Sequence, residues 1–191
     1  GVIGELSLLG VICAQVQEKK AYRLCAPFAP MDAAEAELTL ARRYFTHYGP
    51  ASLRDAAYFF RVPQMRVKAW LKQLDAREIR VDGRMYYATK DAPEGEMPHV
   101  RLLSGFDPML LGYRKEDNPI LLPEHLRGVF NLTGIVHPTV LADGRIVARW
   151  REKDGKVELM PFENIGVRTK KRIEREVEKW FEVKEIRWME I

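Results

Sequence analysis

Apolar residues recur at helical spacing in the first stretch of the chain that has clear start and stop signals. Asp32, followed three positions later by Glu35, has the form of a helix N-cap with its capping-box partner. Beyond it an apolar residue recurs at every fourth position, which predicts an amphipathic helix over residues 33–48. Gly49-Pro50 ends this pattern, because neither residue continues a helix well. A folded unit is therefore predicted to begin near residue 31.

Two further helices are predicted directly after this turn. Ser52, followed three positions later by Asp55, is a second capping signal and starts a helix over residues 53–60. The turn Val62-Pro63 leads into a third helix over residues 64–74, whose apolar residues recur at intervals of three and four. The other side of this third helix carries a polar stripe at four-residue spacing, formed by Gln64, Lys68 and Lys72.

A β-hairpin follows the third helix. Residues 78–89 form two strand-like runs around Asp82-Gly83, a dipeptide that supplies the positive φ angles of a tight hairpin turn. Three helices, the last two joined by a tight turn, and then a hairpin are the element order of a winged helix-turn-helix. We therefore predict such a domain over residues 31–90.

The character of the sequence changes beyond residues 91–98, a segment rich in proline, glycine and acidic residues that is typical of a linker. Strand-like runs follow, and two of their connections are the hairpin dipeptides Asp143-Gly144 and Asp154-Gly155. The predicted strands cover residues 100–103, 134–141, 145–150 and 157–160. This pattern predicts a β-meander.

A charged amphipathic helix is predicted near the end of the chain, over residues 169–181, before a last strand-like run at 183–189. Its narrow apolar stripe consists of Ile173, Val177, Trp180 and Phe181. The predicted fold class is α+β: a winged helix-turn-helix followed by a β-rich meander or barrel-like module with a C-terminal helix. This second module is predicted to span residues 99–191.

Residues 1–30 show the pattern of a short apolar helix followed by a hairpin, and we interpret them as the end of a preceding winged-helix unit. The chain opens on Gly1 without an initiator methionine and runs straight into apolar sequence. We therefore expect it to be the carboxy-terminal portion of a longer protein.

The composition is that of a globular protein, with 47% hydrophobic and 30% charged residues in 191 positions. No apolar run approaches the roughly 20 residues that span a bilayer, and no signal-peptide pattern opens the chain, so we expect no membrane partner and a cytoplasmic location. Cys13, Cys25 and the four histidines lack the paired spacing of a zinc site, which predicts no metal and two buried free thiols.

The formal charge of +4 is compatible with a nucleic-acid partner, and its distribution indicates where contacts would lie. In many winged helices the third helix enters the major groove while the wing contacts backbone phosphate. The candidate DNA-binding residues on these elements are Gln64, Arg66, Lys68, Lys72 and Arg84. Arg114, Lys115 and Arg145 are further candidates in the second module. The alternative is a solvated basic face on a protein-contact module.

Two features invite a catalytic interpretation, and for each a structural role is favoured. Gln15-Val16-Gln17 lies at the edge of a polar turn, which favours a surface hairpin. Asp107 stands inside an apolar stretch before a proline, where a carboxylate can cap a short helix by accepting its free N–H groups. We therefore predict no catalytic residue, and no Gly-rich phosphate loop is present in the sequence.

Four stretches resemble, in the same order, a known family of winged-helix DNA-binding proteins that includes the bacterial AlkZ/YcaQ-like DNA glycosylases. These enzymes unhook interstrand crosslinks and excise alkylated bases. The stretches are LARRYF at residues 40–45, HYGPASLRDAA at 47–57, RLLSGFDPMLLGYR at 101–114 and GIVHPTVLADGRIVARWR at 134–151. Their shared order makes the resemblance more specific than any one of them.

The resemblance implies tandem winged helices that line a basic concave surface for double-stranded DNA, in a protein that hydrolyses N-glycosidic bonds without a metal or organic cofactor. It also implies a catalytic Gln-x-Gln or Gln-x-Asp motif in an amino-terminal region. Gln15 and Gln17 have the right letters but fall in a later hairpin, so we do not assign them that role and expect a chain without catalytic activity. The sequence predicts neither the lesion nor the oligomeric state.

Two alternatives remain open at this point. A winged-helix transcriptional regulator would use the β-rich module for dimerisation or ligand binding. A protein-interaction scaffold would use its basic residues only for solubility.

Overall fold

The computed structural model describes residues 1–93 and 95–191, so position 94 of the predicted linker lies outside the described residues. The protein divides into two compact units, residues 1–36 and 37–191. Among the described residues, no helix is long and apolar enough to cross a membrane.

The first unit contains one helix and one hairpin. Helix α1 (Val2–Leu8) precedes the antiparallel strands β1 (Ile12–Gln15) and β2 (Ala21–Leu24). This is the predicted order of elements, but Cys13 and Cys25 are half-buried and not fully buried as predicted. A two-stranded hairpin without a second layer buries little, which is why these thiols keep contact with solvent.

Three helices and a hairpin follow. They are α2 (Ala33–His47), α3 (Leu53–Phe60) and α4 (Gln64–Leu74), then β3 (Arg77–Val81) and β4 (Arg84–Ala88). Their bounds agree with the predicted helices to within one residue. The largest buried side chains of this part include Phe45, Val67 and Trp70, which come from α2 and α4 at the predicted apolar positions.

Local capping chemistry explains where these elements start and turn. The Ser52 hydroxyl accepts the N–H of Asp55 at 3.2 Å, and the Asp55 carboxylate accepts the N–H of Ser52 at 2.9 Å, so the capping box is complete. The β3–β4 turn has positive φ at both central residues, 47° at Asp82 and 75° at Gly83. This is the geometry that the Asp-Gly dipeptide predicts.

The rest of the second unit is built around a five-stranded sheet. Its strands are β5 (Val100–Leu103), β6 (Thr139–Ala142), β7 (Arg145–Lys153), β8 (Lys156–Pro161) and β9 (Glu185–Trp188). They lie side by side in sequence order, and the first four are antiparallel to their neighbours.

Strands β5 to β8 form the predicted meander, and the last strand departs from this pattern. β9 pairs with β8 in parallel, because helix α7 (Val167–Trp180) carries the chain back along the sheet before β9 begins. Among the described residues β5 and β9 do not pair, so the sheet is open and not barrel-like. The predicted strand over 134–141 is also shorter, since β6 starts only at Thr139, after Pro138, which has no N–H to donate.

Both faces of this sheet are covered. Val140 packs in the cluster that contains Ile173 and Val177 of α7, whereas its neighbour Leu141 packs in a second cluster with Leu110. Alternating side chains of a strand point to opposite faces, so all four residues of β6 are buried. Trp180, predicted to lie in the apolar stripe of α7, is 63% exposed at the helix end.

The connection from β5 to β6 supplies the second cluster. It contains α5 (Pro108–Leu111), two short 3-10 turns and α6 (Leu126–Val129). The Asp107 side chain accepts the N–H of Met109 at 2.9 Å, which confirms its role as the cap of α5.

Candidate nucleic-acid interface

The outer face of α4 carries the predicted polar stripe. Gln64, Lys68 and Lys72 are all exposed, while Val67 and Leu71 on the inner face are buried. Among the residues that the structure describes, neither Lys68 nor Lys72 takes part in an ion pair. Helix α4 carries three basic residues and no acidic one, and two of the three, Lys68 and Lys72, lie unpaired on this face.

Lys68 and Lys72 line a concavity of about 350 Å³ between α4 and the β3–β4 hairpin. Two acids, Asp75 and Glu78, lie at its edge. Lys90 pairs with Asp75, and this hydrogen bond lowers the pKa of the Asp75 carboxyl below its ordinary value. Because Asp75 already has a cationic partner, it does little to neutralise the two α4 lysines.

Arg66, another candidate on α4, has an internal partner. Its Nε donates to Oε2 of Glu37 at 3.0 Å, and a second guanidinium nitrogen pairs with the other carboxylate oxygen. The indole N–H of Trp70 donates to the same Glu37 carboxylate at 3.2 Å. Arg66 therefore joins α4 to α2, and its DNA contact stays a prediction.

Gln64 and Arg84 lie together at a second concavity, of about 300 Å³, between the start of α3 and the β3–β4 hairpin. Its polar lining also includes Ser52, Arg54, Asp55 and Asp117. The Arg54 and Arg84 side chains are 60% and 69% exposed, and an Nη1 of each lies 3.9 Å from the Asp117 carboxylate. Two exposed cations thus flank one carboxylate at long distance, and guanidinium groups of this kind bind phosphate oxygens.

Sequence reasoning missed Arg54 as a member of this site. It is the second residue of α3, on the side away from the buried Asp55 and Ala56. The capping signal at Ser52 fixes where the helix begins. The outward direction of Arg54 could therefore have been predicted from the sequence pattern.

Arg114 and Lys115 are engaged with neighbouring acids. The Arg114 guanidinium lies 3.1 Å from Asp117 and 3.2 Å from Glu116, and Lys115 Nζ is 3.8 Å from Glu116. Both basic side chains are only about one-third exposed, at 32% and 39%. Both residues lie in the segment just after α5, and their contact with DNA stays a prediction.

Arg145 stands apart from the other candidates. It is exposed at the start of β7, opposite Ala142 across the Asp143-Gly144 turn. It lines neither of the two concavities. The structure therefore brings together two groups of candidates, Lys68 with Lys72 and Gln64 with Arg84. Arg145 lies apart from them on the sheet module, by which we mean the five-stranded sheet with α5, α6 and α7, which cover it.

The segment 112–114 fixes the sheet module against the helices that carry these groups. The Tyr44 hydroxyl donates to the Gly112 carbonyl at 2.8 Å, and the Tyr113 hydroxyl donates to the Tyr48 carbonyl at 2.9 Å. Burial raises the pKa of Tyr113 to about 12. This junction is buried and hydrogen-bonded, so it holds the two concavities in a fixed relation to the sheet.

The candidate catalytic residues lie in no enclosed site. Gln15 ends β1 and Gln17 lies in the β1–β2 turn, and both are exposed. Among the described residues, no group of three or more His, Cys, Asp or Glu side chains is placed to hold a metal ion. His125 is buried, but it stacks on Phe162 with ring centroids 4.9 Å apart and faces no concavity described above.

The chain belongs to the family described as DNA glycosylase AlkZ-like, because the model of that family matches residues 8–183. Membership of the family that the sequence resembled is therefore confirmed. Over 152 residues the chain is 30% identical to the interstrand DNA cross-link repair glycosylase of Streptomyces sahachiroi. The matched region covers 74% of this chain and 41% of that protein.

The solved structure of Streptomyces sahachiroi DNA glycosylase AlkZ has a similar fold. Its TM-score is 0.79 at 24% sequence identity, and the match covers 100% of this chain and 57% of that one. The chain thus spans about two fifths of the length of the curated relative that it matches.

Proposed function

We propose that this chain binds double-stranded DNA and acts as a DNA-binding part of a glycosylase-like repair protein. The observation that carries this proposal is the exposed face of α4, where Lys68 and Lys72 lie four residues apart without an ion-pair partner among the described residues. Free ammonium groups at this spacing can release counterions from successive phosphates. Membership of the AlkZ-like family supports DNA as the polyanion.

We further propose that α2, α3, α4 and the β3–β4 hairpin form a winged helix-turn-helix, with α4 as the recognition helix. The tight connection from α3 to α4, through Arg61 in the left-handed region and Pro63 at the N-cap, supports this assignment. Arg84 would then act at the wing, beside Arg54 and Gln64.

We also propose that the chain consists of three modules. Residues 1–30 would end a preceding winged-helix unit, residues 31–90 would form the winged helix-turn-helix, and residues 99–191 would form the β-rich module. The helix and hairpin of the first 30 residues support the first assignment, and the five-stranded sheet with α7 supports the last.

We propose that the repair reaction is hydrolysis of the N-glycosidic bond of an alkylated or crosslinked base, without a metal or organic cofactor. We also propose that this chain by itself does not catalyse the reaction. The name of the curated relative supports the reaction class. The exposed setting of Gln15 and Gln17 supports the absence of catalysis, because a water that attacks a glycosidic bond needs an enclosed site to be positioned.

Fluorescence anisotropy with a labelled duplex at about 100 mM salt tests DNA binding. The double substitution Lys68→Gln and Lys72→Gln should weaken binding roughly tenfold or more, because two phosphate contacts are lost. The matched control, Arg127→Gln with Lys184→Gln, removes two exposed cations that also lack an ion pair among the described residues. Equal affinities for the two double variants would overturn the assignment of α4.

An excision assay tests the catalytic part of the proposal separately. Incubation of the chain with a duplex that carries an alkylated base should release no free base. Release of the base, and its loss on Gln15→Ala or Gln17→Ala substitution, would contradict the proposal that the chain is not catalytic.

A further inference from the structure

Helix α7 concentrates positive charge on the sheet module. Its 14 residues contain six basic side chains and three acidic ones, a formal excess of three in a protein whose net charge is +4. The basic residues are Arg168, Lys170, Lys171, Arg172, Arg175 and Lys179.

The charges are segregated around the helix. Arg168, Lys171, Arg175 and Lys179 follow one another at spacings of three and four, and all are exposed. Ile173 and Val177, on the opposite side, are 0% exposed in the core against the sheet. This face of the helix therefore carries four basic residues from its first turn to its last, with the exposed Glu178 at its edge.

This arrangement opposes the rules that stabilise a solvated helix. Lys171 with Arg175 and Arg175 with Lys179 are like-charge pairs at four-residue spacing, which is an unfavourable arrangement on a helix. The first turn holds Arg168 and no acidic residue, although the helix dipole favours acids there. Of the four basic residues on this face, only Lys179 has an ion-pair partner among the described residues, Glu176 on the same helix. A face that breaks two local rules in this way is typical of a functional surface.

Two carboxylates at the side of this face organise some of its cations. Asp143 accepts from the Arg172 guanidinium at 3.0 Å and lies 3.0 Å from Nδ1 of His99. The Arg172 hydrogen bond lowers the pKa of the Asp143 carboxyl, so this acid stays charged. His99 is thereby brought beside α7 from the residue before β5.

Glu176 binds two further basic residues at this site, Lys179 and Arg101. It is 5% exposed, and its oxygens lie 2.8 Å from Lys179 Nζ and 3.4 Å from an Nη of Arg101. The result is a concavity of about 350 Å³ that Arg101, Arg172, Arg175 and Lys179 line. Among the described residues, Arg168, Lys171 and Arg175 take part in no ion pair, so the two acids leave this face strongly positive.

We infer that the basic face of α7 is a second binding surface for the backbone phosphates of double-stranded DNA, separate from α4 and the β3–β4 hairpin. This inference rests on the proposed function. From Arg168 to Lys179 the face extends roughly 16 Å at 1.5 Å per residue. That length matches about five base pairs of duplex at 3.4 Å each.

The dependence of DNA affinity on salt tests the inference. The double variant Lys171→Gln and Arg175→Gln should reduce the slope of log K against log salt by about 1.8, since each phosphate contact contributes about 0.9. Neutralising these two residues breaks no ion pair among the described residues. Because it removes like-charge repulsion, the midpoint of thermal unfolding should stay unchanged or rise. The control variant Arg127→Gln and Lys184→Gln should keep the wild-type slope.

The possible outcomes separate this inference from the proposed function. If the wild-type chain binds duplex DNA and the α7 variant keeps both its slope and its fold, the α7 surface is excluded while the proposed function stands. If the wild-type chain binds no duplex even at low salt, both are overturned. Additive losses of slope in the α4 and α7 double variants would support two separate surfaces on the same DNA.

Discussion

The carboxylate of Asp55 accepts the backbone N–H of Arg114 at 3.0 Å, across a sequence separation of 59 residues. The same carboxylate completes the capping box with Ser52, and the whole Asp55 residue is only 2% exposed. One acid thus both caps helix α3 and anchors the segment that follows α5 in the sheet module. The positions of Arg54 and Arg84 relative to the sheet depend on this junction.

Replacement of Asp55 by Ala should destabilise the protein by about 3 kcal/mol, because it removes a cap and leaves the buried N–H of Arg114 without an acceptor. Asp55→Asn should lie between wild type and Asp55→Ala, since one amide oxygen can replace only one of the two carboxylate acceptors. Urea unfolding measures these changes. Asp91→Ala, at an exposed position, is the control, and equal stabilities of Asp55→Ala and Asp91→Ala would contradict the anchoring role.

Gly112 should tolerate no side chain. A Cβ at this position would lie 2.2 Å from Cδ1 of Tyr48, a distance that the packed junction can relieve only by moving the ring or the backbone. We expect Gly112→Ala to lower the free energy of unfolding by about 2 kcal/mol. Gly95→Ala meets nothing within 4 Å and serves as the control. Stabilities that do not differ between the two alanine variants would show that the junction is looser than described.

Tyr113 should ionise late when the folded protein is titrated with base. Burial raises its pKa to about 12, above the ordinary value of 10, so the stability that the neutral phenol contributes is fully present below pH 10 and is lost as the pH rises towards 12. Ultraviolet difference spectra should therefore show a late step that Tyr113→Phe removes. An unchanged titration curve in Tyr113→Phe would contradict this assignment.

Glu176 should make the protein sensitive to acid. Burial opposes its ionisation, but hydrogen bonds from Lys179 and Trp180 outweigh this and hold its pKa below the ordinary value of 4.5. The stabilising contribution is therefore present above pH 4.5 and is lost as the pH falls below that value. Glu176→Gln should flatten the decline of the thermal midpoint in this acidic range. A decline as steep as in wild type would show that Glu176 is not the group responsible.

Local signals made the helical half of the fold predictable. Ser52, the Asp82-Gly83 turn and Asp107 each act through backbone groups within a few residues, so the bounds of α3, the β3–β4 hairpin and the cap of α5 followed from the sequence. The direction of β9 did not follow from the sequence, because its parallel pairing with β8 depends on how α7 returns across the sheet.

The candidate interface was predictable only in part, for a similar reason. The spacing of Lys68 and Lys72 puts both on one exposed face of a helix, whatever lies beyond it. The partner of Arg66 is Glu37, 29 residues away, and Arg84 meets Asp117 from another part of the chain. Charge pairing across such distances has no local pattern, so the sequence could not separate free cations from paired ones.

Equilibrium binding of the wild-type chain to a duplex, measured over a series of salt concentrations, decides whether this chain binds the DNA backbone. Because Lys68 and Lys72 each displace counterions from a phosphate, log K should fall linearly with log salt with a slope of about −1.8 or steeper. Binding that stays undetectable at low salt, or an affinity that does not change with salt, would contradict the claim that this chain binds the DNA backbone.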